Sequence, residues 1–529
     1  MIGIRSAGNW LESVRERESF LVERWQSLYG DSEAVIASRA ALYTGALETF
    51  IQHNGSERDV LISRAPGRVN LLGNHIEHRG GTVNYMAVDR ETLLVASPRT
   101  DDTLVLTNAN PERFPRAEFS IGESLPAGRR GNWLDVIKSS TITRGNWVNY
   151  VAASVLALQN RFPNQALKGM DIAVHGDIPI GAGLSSSSSL VVSAMEAMLA
   201  FNDIDIPEEE KATFCGEAEW YVGTRGGAGD HAAMLYARRQ ALVRLRFFPL
   251  TTDEIPLPEG YRVVACNSFV EHQSTSVFNE RIATYEIGLM LVKSAFPHYA
   301  PRLDHLRDLT ADHLGVSEAD IYRILKILPT RMSRDEIRSS LPDQTERLSG
   351  LFAPHDDPED GYRVRQVVLF GLAECARGHR CGELLKEGRI QEMGRLKGRS
   401  HDGDRRFRFA NGIRKAVENA VTDADLDALI ASQESGDVDR ASDSRMYNQA
   451  GGYDCSCEEL DLIVDLATEI EGVAGAGLAG GGLGGCVLAV VREDAVGALE
   501  EALNRGFYTP RELRNGLLVC SSAAGSGIV

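Results

Sequence analysis

The chain has 529 residues, of which 43% are hydrophobic and 25% charged: an ordinary globular composition, longer than one compact core usually spans, so that two lobes are expected. Its formal charge of -18, from 56 basic and 74 acidic side chains, would repel nucleic acid and anionic lipid surfaces and argues against both as partners. The eight cysteines show no C-x-x-C pair and no Cys/His array of zinc-like spacing, and the opening residues carry charge from Arg5 onward, so a reduced, cytoplasmic protein without a signal peptide is expected.

From about Asn9 to His53, Trp10, Val14, Leu21, Trp25 and Leu28 recur at helical intervals, which predicts an N-terminal helical pair broken near Tyr29-Gly30-Asp31. VLISRAPGRVNLL predicts strand, turn and strand around Pro66-Gly67. MDIAVHG alternates apolar and polar residues and leads through a Pro/Gly loop into a serine run. Leu190, Ala194, Ala197 and Met198 then take helical spacing, so the order is strand, glycine loop, helix. YRVVACNSFV predicts a buried strand, and residues from about 280 to 430 are mostly helical in spacing, with a helical insertion at about 316–360 that ends in an exposed loop. Cys455 and Cys457, two apart, fit either a metal or redox pair or the edge of a strand or turn. Val473 to Val491 is uncharged and long enough to span a bilayer, but its seven glycines predict a glycine-rich loop running into a strand.

Four segments are rich in chemistry. In IGAGLSSSSSL, Gly181 and Gly183 let the backbone approach a ligand. Leu184, Ser185, Ser186 and Ser187 follow at the opening of a helix, where free N–H groups and the helix dipole favour an anion. The segment is a phosphate cradle or a serine-rich linker, and its place between a strand and a helix favours the cradle; with no lysine after the glycines it is not a Walker A loop. Ser63 to Gly81 crowds polar side chains after a strand and fits a small polar ligand or a solvated loop. The glycines from 475 to 485 fit either a second anion-holding loop or flexibility. Asp230, directly after Gly226-Gly227-Ala228-Gly229, is either a functional carboxylate or a helix cap.

Taken in order, these segments resemble the GHMP kinase superfamily, and within it the galactokinases. APGRVNLLGNHIEHRGG is similar to the sugar-binding signature, IPIGAGLSSSSSL to the phosphate loop and GLAGGGLGGCVLAVV to the third motif. AEWYVGTRGGAGDH, NSFVEHQSTSVFNERIA, MGRLKGRSH and CSCEELDLIV are further similar blocks. The resemblance implies an α+β, two-lobed GHMP kinase fold, with a ribosomal protein S5 domain 2-like N-terminal lobe and a ferredoxin-like α/β C-terminal lobe. On it the chain divides into an N-terminal helical extension (1–55), an N-terminal lobe (56–280) and a C-terminal lobe (281–529) carrying the insertion. It also implies ATP as phosphoryl donor and a sugar as acceptor at its anomeric hydroxyl, with Asp230 and Arg68 as the catalytic pair. Asn74, His75, Glu77, Gly227 and Phe278 would contact the sugar, and Mg²⁺ would be held by Ser187 and Glu219, with Glu217 as the alternative carboxylate.

Two departures from the pattern concern the acceptor. Where galactokinases usually carry Glu-His-x-Asp-Tyr, this chain has Asn74-His75-Ile76-Glu77-His78, and Phe278 stands where many have tyrosine. Loss of a carboxylate at position 74 removes a like charge from the place a uronic acid would set its own, which raises galacturonate beside galactose and resembles plant-type galacturonate kinases. A catalytically silent sugar sensor and a mevalonate- or homoserine-type acceptor are the other readings.

Overall fold

The computed structural model describes residues 3–140, 143, 145–223, 226–271, 275–410, 412–514 and 516–529. Among these residues two β-sheets form the frame. In the larger, nine-stranded sheet the long strands Asp59–Leu72 and Val83–Pro98 pair antiparallel, followed by Met170–Gly176 and then, in parallel, Thr103–Asn108. Both long strands are buried nearly throughout because both of their faces are covered, and they carry Ser63, Arg64, Arg68, Asn70, Asn84, Asp89 and Glu91 inside as well as apolar residues. Val60, Ile62, Leu93 and Val95 turn to the N-terminal helices and meet Trp10, Trp25, Tyr43 and Phe50. Leu61, Leu94 and Ala96 turn the other way, onto the helices Val148–Arg161 and Ser186–Asn202.

The N-terminal extension is three helices, Ala7–Glu16, Ser19–Tyr29 and Glu33–Asn54, and not the expected pair. The break at Gly30 is present. The additional one falls at Arg17, which takes the left-handed conformation with a φ of 50° and closes the first helix, a C-cap that no glycine announces.

VLISRAPGRVNLL is also not two strands around a turn. It lies within one continuous strand whose register shifts between Pro66 and Arg68, where Pro66 pairs with Glu91 and Arg68 with Ala87. The intervening residues of the partner strand bond elsewhere: Val88 bridges to Ser522, and the Asp89 N–H donates to the Ser521 carbonyl at 3.0 Å. The opened ladder admits the serine loop. A Cβ on Gly67 would lie 3.1 Å from the Leu184 carbonyl oxygen, which accepts the Arg68 N–H at 3.1 Å.

The second sheet is antiparallel, in the order Val473–Leu478, Cys486–Arg492, Tyr261–Asn267, Leu517–Cys520. YRVVACNSFV thus supplies a central strand, placed here ahead of residue 280, while the tail returns to the first sheet, where Gly527–Ile528 pairs with Asp59–Leu72. Val473 to Val491 forms a hairpin, with a strand on each side of the loop. Gly475 belongs to the first of those strands because the helix Ile390–Asp404 presses on it. A Cβ at Gly475 would fall 2.1 Å from the Gly394 carbonyl oxygen, and one at Gly394 2.0 Å from that of Ala474. Part of the glycine signal is therefore backbone packing.

The expected helical region is present, led by Thr275–Ala295 and Val364–Lys386. The insertion contributes Glu318–Lys326, Arg334–Ser340 and Thr345–Phe352 before a largely exposed loop. All eight cysteines are unpaired, and none of the helices described is long and apolar enough to cross a membrane. Because neither backbone at the Gly394–Gly475 crossing can retreat, Gly394→Ala is expected to cost about 1–3 kcal/mol, read as a lower midpoint in denaturant unfolding.

Candidate active site

Arg68 comes from the opened strand, Asp230 from the first turn of the helix Gly229–Tyr236, and Ser185 from the end of the glycine loop. The three meet. Arg68 grips the Asp230 carboxylate with both arms, Nε to Oδ1 at 2.6 Å and Nη2 to Oδ2 at 2.5 Å, while Nη1 donates to the Gly183 carbonyl at 2.5 Å. The Ser185 hydroxyl donates to the same carboxylate. Burial opposes ionisation of Asp230, but the charge and hydrogen bonds of Arg68, with that of Ser185, outweigh it and hold the carboxyl below its usual range. The side chain does not cap its own helix, whose N-cap is Ala228.

The strand Met170–Gly176, the glycine loop and the helix Ser186–Asn202 follow in the expected order. Gly181 and Gly183 take φ values of 76° and 73°, and Ser185 itself is left-handed at 56°. With the Ser185 hydroxyl turned to Asp230, no side chain caps the helix, and its first N–H groups stay open to an anion. Ser186 and Ser187 line a cavity of about 900 Å³ whose other walls include Phe114, Trp147 and Tyr150. Ser187 is separate from the hydrogen bond that ties this run to Glu219. That bond comes from Ser188, Oγ to Oε2 at 2.7 Å, and His231 Nε2 lies 2.8 Å from the same oxygen. Glu217 is exposed on the other side of its helix.

A smaller cavity of about 220 Å³ is lined by Arg68, Asn74, His75, Glu77, Gly227, Asp230 and Phe278, which brings every residue expected at the sugar onto one surface. Gly480 and Gly481 of the third motif close it, and that loop touches the serine loop: a Cβ on Gly183 would be 3.4 Å from the Ala479 carbonyl oxygen. Glu77 accepts from the Tyr85 hydroxyl and from the Gly229 N–H at 3.2 Å. A Cβ on Gly229 would lie 2.4 Å from its carboxylate, which would have to shift to admit one. Burial, and then the Asp230 charge, push Glu77 up from the ordinary carboxylate range. The two carboxylates are thus driven apart in acidity.

The sequence reading missed the residues that hold this cavity in shape. Glu374, on the helix Val364–Lys386, is fully buried and accepts the backbone N–H groups of Gly73 and Asn74, each at 2.9 Å, while Arg377 Nε donates to it at 2.6 Å. Lys397 Nζ donates to the Leu478 carbonyl at 2.8 Å, and Asn74 Nδ2 to the same oxygen at 3.2 Å. His75, left-handed at a φ of 64°, stacks on Tyr453 with ring centres 4.3 Å apart, and its Nε2 lies 3.5 Å from Asp404 Oδ2. Lys397 stands inside the MGRLKGRSH block, which was the one signal available for it. Glu374 and Tyr453 gave none, being apart from the cavity in sequence and recognisable only by what they touch. Thr224, Arg225, His272, Gln273 and Ser274, from two of the similar blocks, lie outside the described residues.

Residues 149–238 match the GHMP kinases N terminal domain, 426–509 the GHMP kinases C terminal, and 48–98 the galactokinase galactose-binding signature. The fold is that of a GHMP kinase. The galactokinase of Dictyostelium discoideum is 25% identical, over 94% of this chain and 93% of its own length. That of Chloroflexus aurantiacus is 29% identical, over 88% of this chain and 93% of its own. The crystal structure of Lactococcus lactis galactokinase complexed with galactose superposes at a TM-score of 0.61 with 20% identity, covering 93% of this chain and 99% of that one. Within the superfamily, the chain is similar to the galactokinases over most of its length.

Burial lowers Lys397 to about 8. From that value up to the ordinary amine range, the unfolded chain keeps a proton that the folded chain has released, so folding stability gains with rising pH across the window. Thermal melts of the wild type and of Lys397→Met between pH 7 and 10 are expected to show this gain in the wild type and to lose that component in the variant.

Proposed function

We propose that this protein is an ATP-dependent sugar 1-kinase that transfers the γ-phosphate of ATP to the anomeric hydroxyl of galactose. The observation that carries this is the Arg68–Asp230 pair, set on the wall of a small polar cavity and tied by Ser185 to the open end of a helix. The aromatic walls of the larger cavity, Phe114, Trp147 and Tyr150, suit a purine base, and Ser186 and Ser187 on its floor suit the phosphates.

The acceptor oxygen forms a bond to the γ-phosphorus as the bridging bond to the β-phosphate breaks, ADP leaves, and the hydroxyl proton passes to Asp230 or to water. A transfer of this kind needs positioning and neutralisation of spread charge more than a strong base. Asp230, ionised and doubly bonded to Arg68, is a weak base and a well-fixed acceptor, so its part is to orient the hydroxyl. Arg68 faces the charge that develops on the transferred group. Glu219, joined to the serine run through Ser188, offers with the serine hydroxyls a hard oxygen set that fits Mg²⁺. Ser187 and Glu219 would hold the ion, which supplies neutralisation of the β- and γ-phosphate oxygens when bound.

The cavity favours a neutral sugar. Asn74 directs its amide N–H to Leu478, and its buried Oδ1, left without a protein partner, is an acceptor for a sugar hydroxyl. Among the described residues, the arginine on the cavity is already paired with Asp230, Glu77 adds a second carboxylate, and burial holds His78 below its usual range and therefore neutral. Asn74 removes the like charge that would bar galacturonate, yet these groups supply no free cation to receive it.

ADP release with galactose, galacturonate, glucuronate, arabinose and N-acetylgalactosamine tests the reading. Galactose is expected to give the highest kcat/KM; a uronate turned over as well or better would shift the acceptor, and no ADP release with any sugar would favour the silent sensor. Asp230→Ala is expected to lower kcat by about 10²–10⁴ and, because it leaves the buried Arg68 guanidinium unpaired, to lower the melting temperature as well.

A further inference from the structure

The extension that precedes the three matched segments reaches the nucleotide side of the molecule. Arg39, on the helix Glu33–Asn54, is fully buried and extends its guanidinium to Asp177, Nη1 donating to Oδ1 at 3.3 Å and Nη2 to Oδ2. Asp177 sits between Gly176 and Ile178, both on the wall of the 900 Å³ cavity, directly before the glycine loop. Its Oδ1 also accepts the Glu91 N–H at 2.8 Å, and its own N–H donates to the Glu91 carbonyl at 3.1 Å. The Glu91 carboxylate, itself fully buried, gathers Arg64 Nε at 2.5 Å, the Tyr29 hydroxyl at 2.6 Å and Arg39 at 3.5 Å. A second contact runs beside the first. A Cβ on Gly45 of the same helix would lie 3.3 Å from Nε2 of His175, which also lines the cavity.

We infer that Arg39 is a positioning residue for nucleotide binding: through Asp177 it fixes the strand end that carries His175 to Ile178 and thereby sets the entry of the serine loop. A buried guanidinium is a costly way to fill a helix–sheet contact, since an apolar side chain of similar volume would pack there without desolvating a charge. What the arginine adds is a two-armed, directional hold on one carboxylate. Asp177 retains a quarter of its side-chain exposure, 26%, so it is held at the rim of the core, where the chain leaves the sheet for the cavity. The extension thus braces the nucleotide wall from behind without lining it. This inference rests on the kinase reading above.

The test uses the full chain and measures ADP binding by calorimetry beside steady-state KM values for ATP and sugar. Arg39→Lys keeps the charge and loses the fork, and Asp177→Asn, at a partly exposed position, keeps the shape and loses the charge. Each is expected to weaken ADP binding and raise KM for ATP by about 3- to 10-fold, with KM for the sugar within about twofold, and the double variant to be little worse than either single. ADP binding as tight as in the wild type, in variants that melt normally, would overturn the inference, and so would an equal rise in both KM values. If Arg39→Lys fails to fold, Asp177→Asn alone decides between these outcomes. Failure of the wild type to bind ADP at all would instead sink the kinase reading, and this role with it.

Discussion

The two-armed ion pair between Arg68 and Asp230 is the constraint on which the site depends. Residues 162 apart in the chain are brought to contact, and Gly183 and Ser185 of a third segment are bound to the same two side chains. The pair fixes where the glycine loop ends and turns the Ser185 hydroxyl away from its own helix, which leaves the helix terminus uncapped. An uncapped helix terminus and a small polar cavity are thereby made adjacent by one arginine and one carboxylate.

Close backbone approach is the second constraint, and it explains most of the informative glycines. Gly67 lets the serine loop reach the strand, Gly229 makes room for the Glu77 carboxylate, and Gly394 and Gly475 let a helix lie directly on a strand of the second sheet. The second lobe reaches the cavity with Gly480 and Gly481. From there Glu374 holds the backbone of Gly73 and Asn74, and Lys397 holds Leu478, so the walls of the smaller cavity are set by groups that do not themselves line it.

Acidity follows from the same arrangement. Asp230 has an arginine and a hydroxyl and stays ionised, while burial and then the neighbouring Asp230 charge push Glu77 up from the ordinary carboxylate range. Two carboxylates in one small cavity thus differ in acidity because they differ in partners.

The sequence alone determined the resemblance to galactokinases, the order of strand, glycine loop and helix, and the residues expected at a sugar, which the structure gathers on one cavity. Those features are local: a glycine that must bend, an apolar period, a run of small polar residues opening a helix all act on near neighbours. It misread Pro66-Gly67 as a turn and the glycines of Val473–Leu478 as loop, because an opened ladder and a pressed strand show the same residues that a turn and a loop do. It gave no sign of Glu374, Tyr453 or Arg39, since a buried carboxylate, ring or guanidinium has a role only through partners far away in the chain. Tertiary structure alone decided those partnerships, because a buried charge or a stacked ring is stabilised only where packing delivers its counterpart to within hydrogen-bond or van der Waals distance.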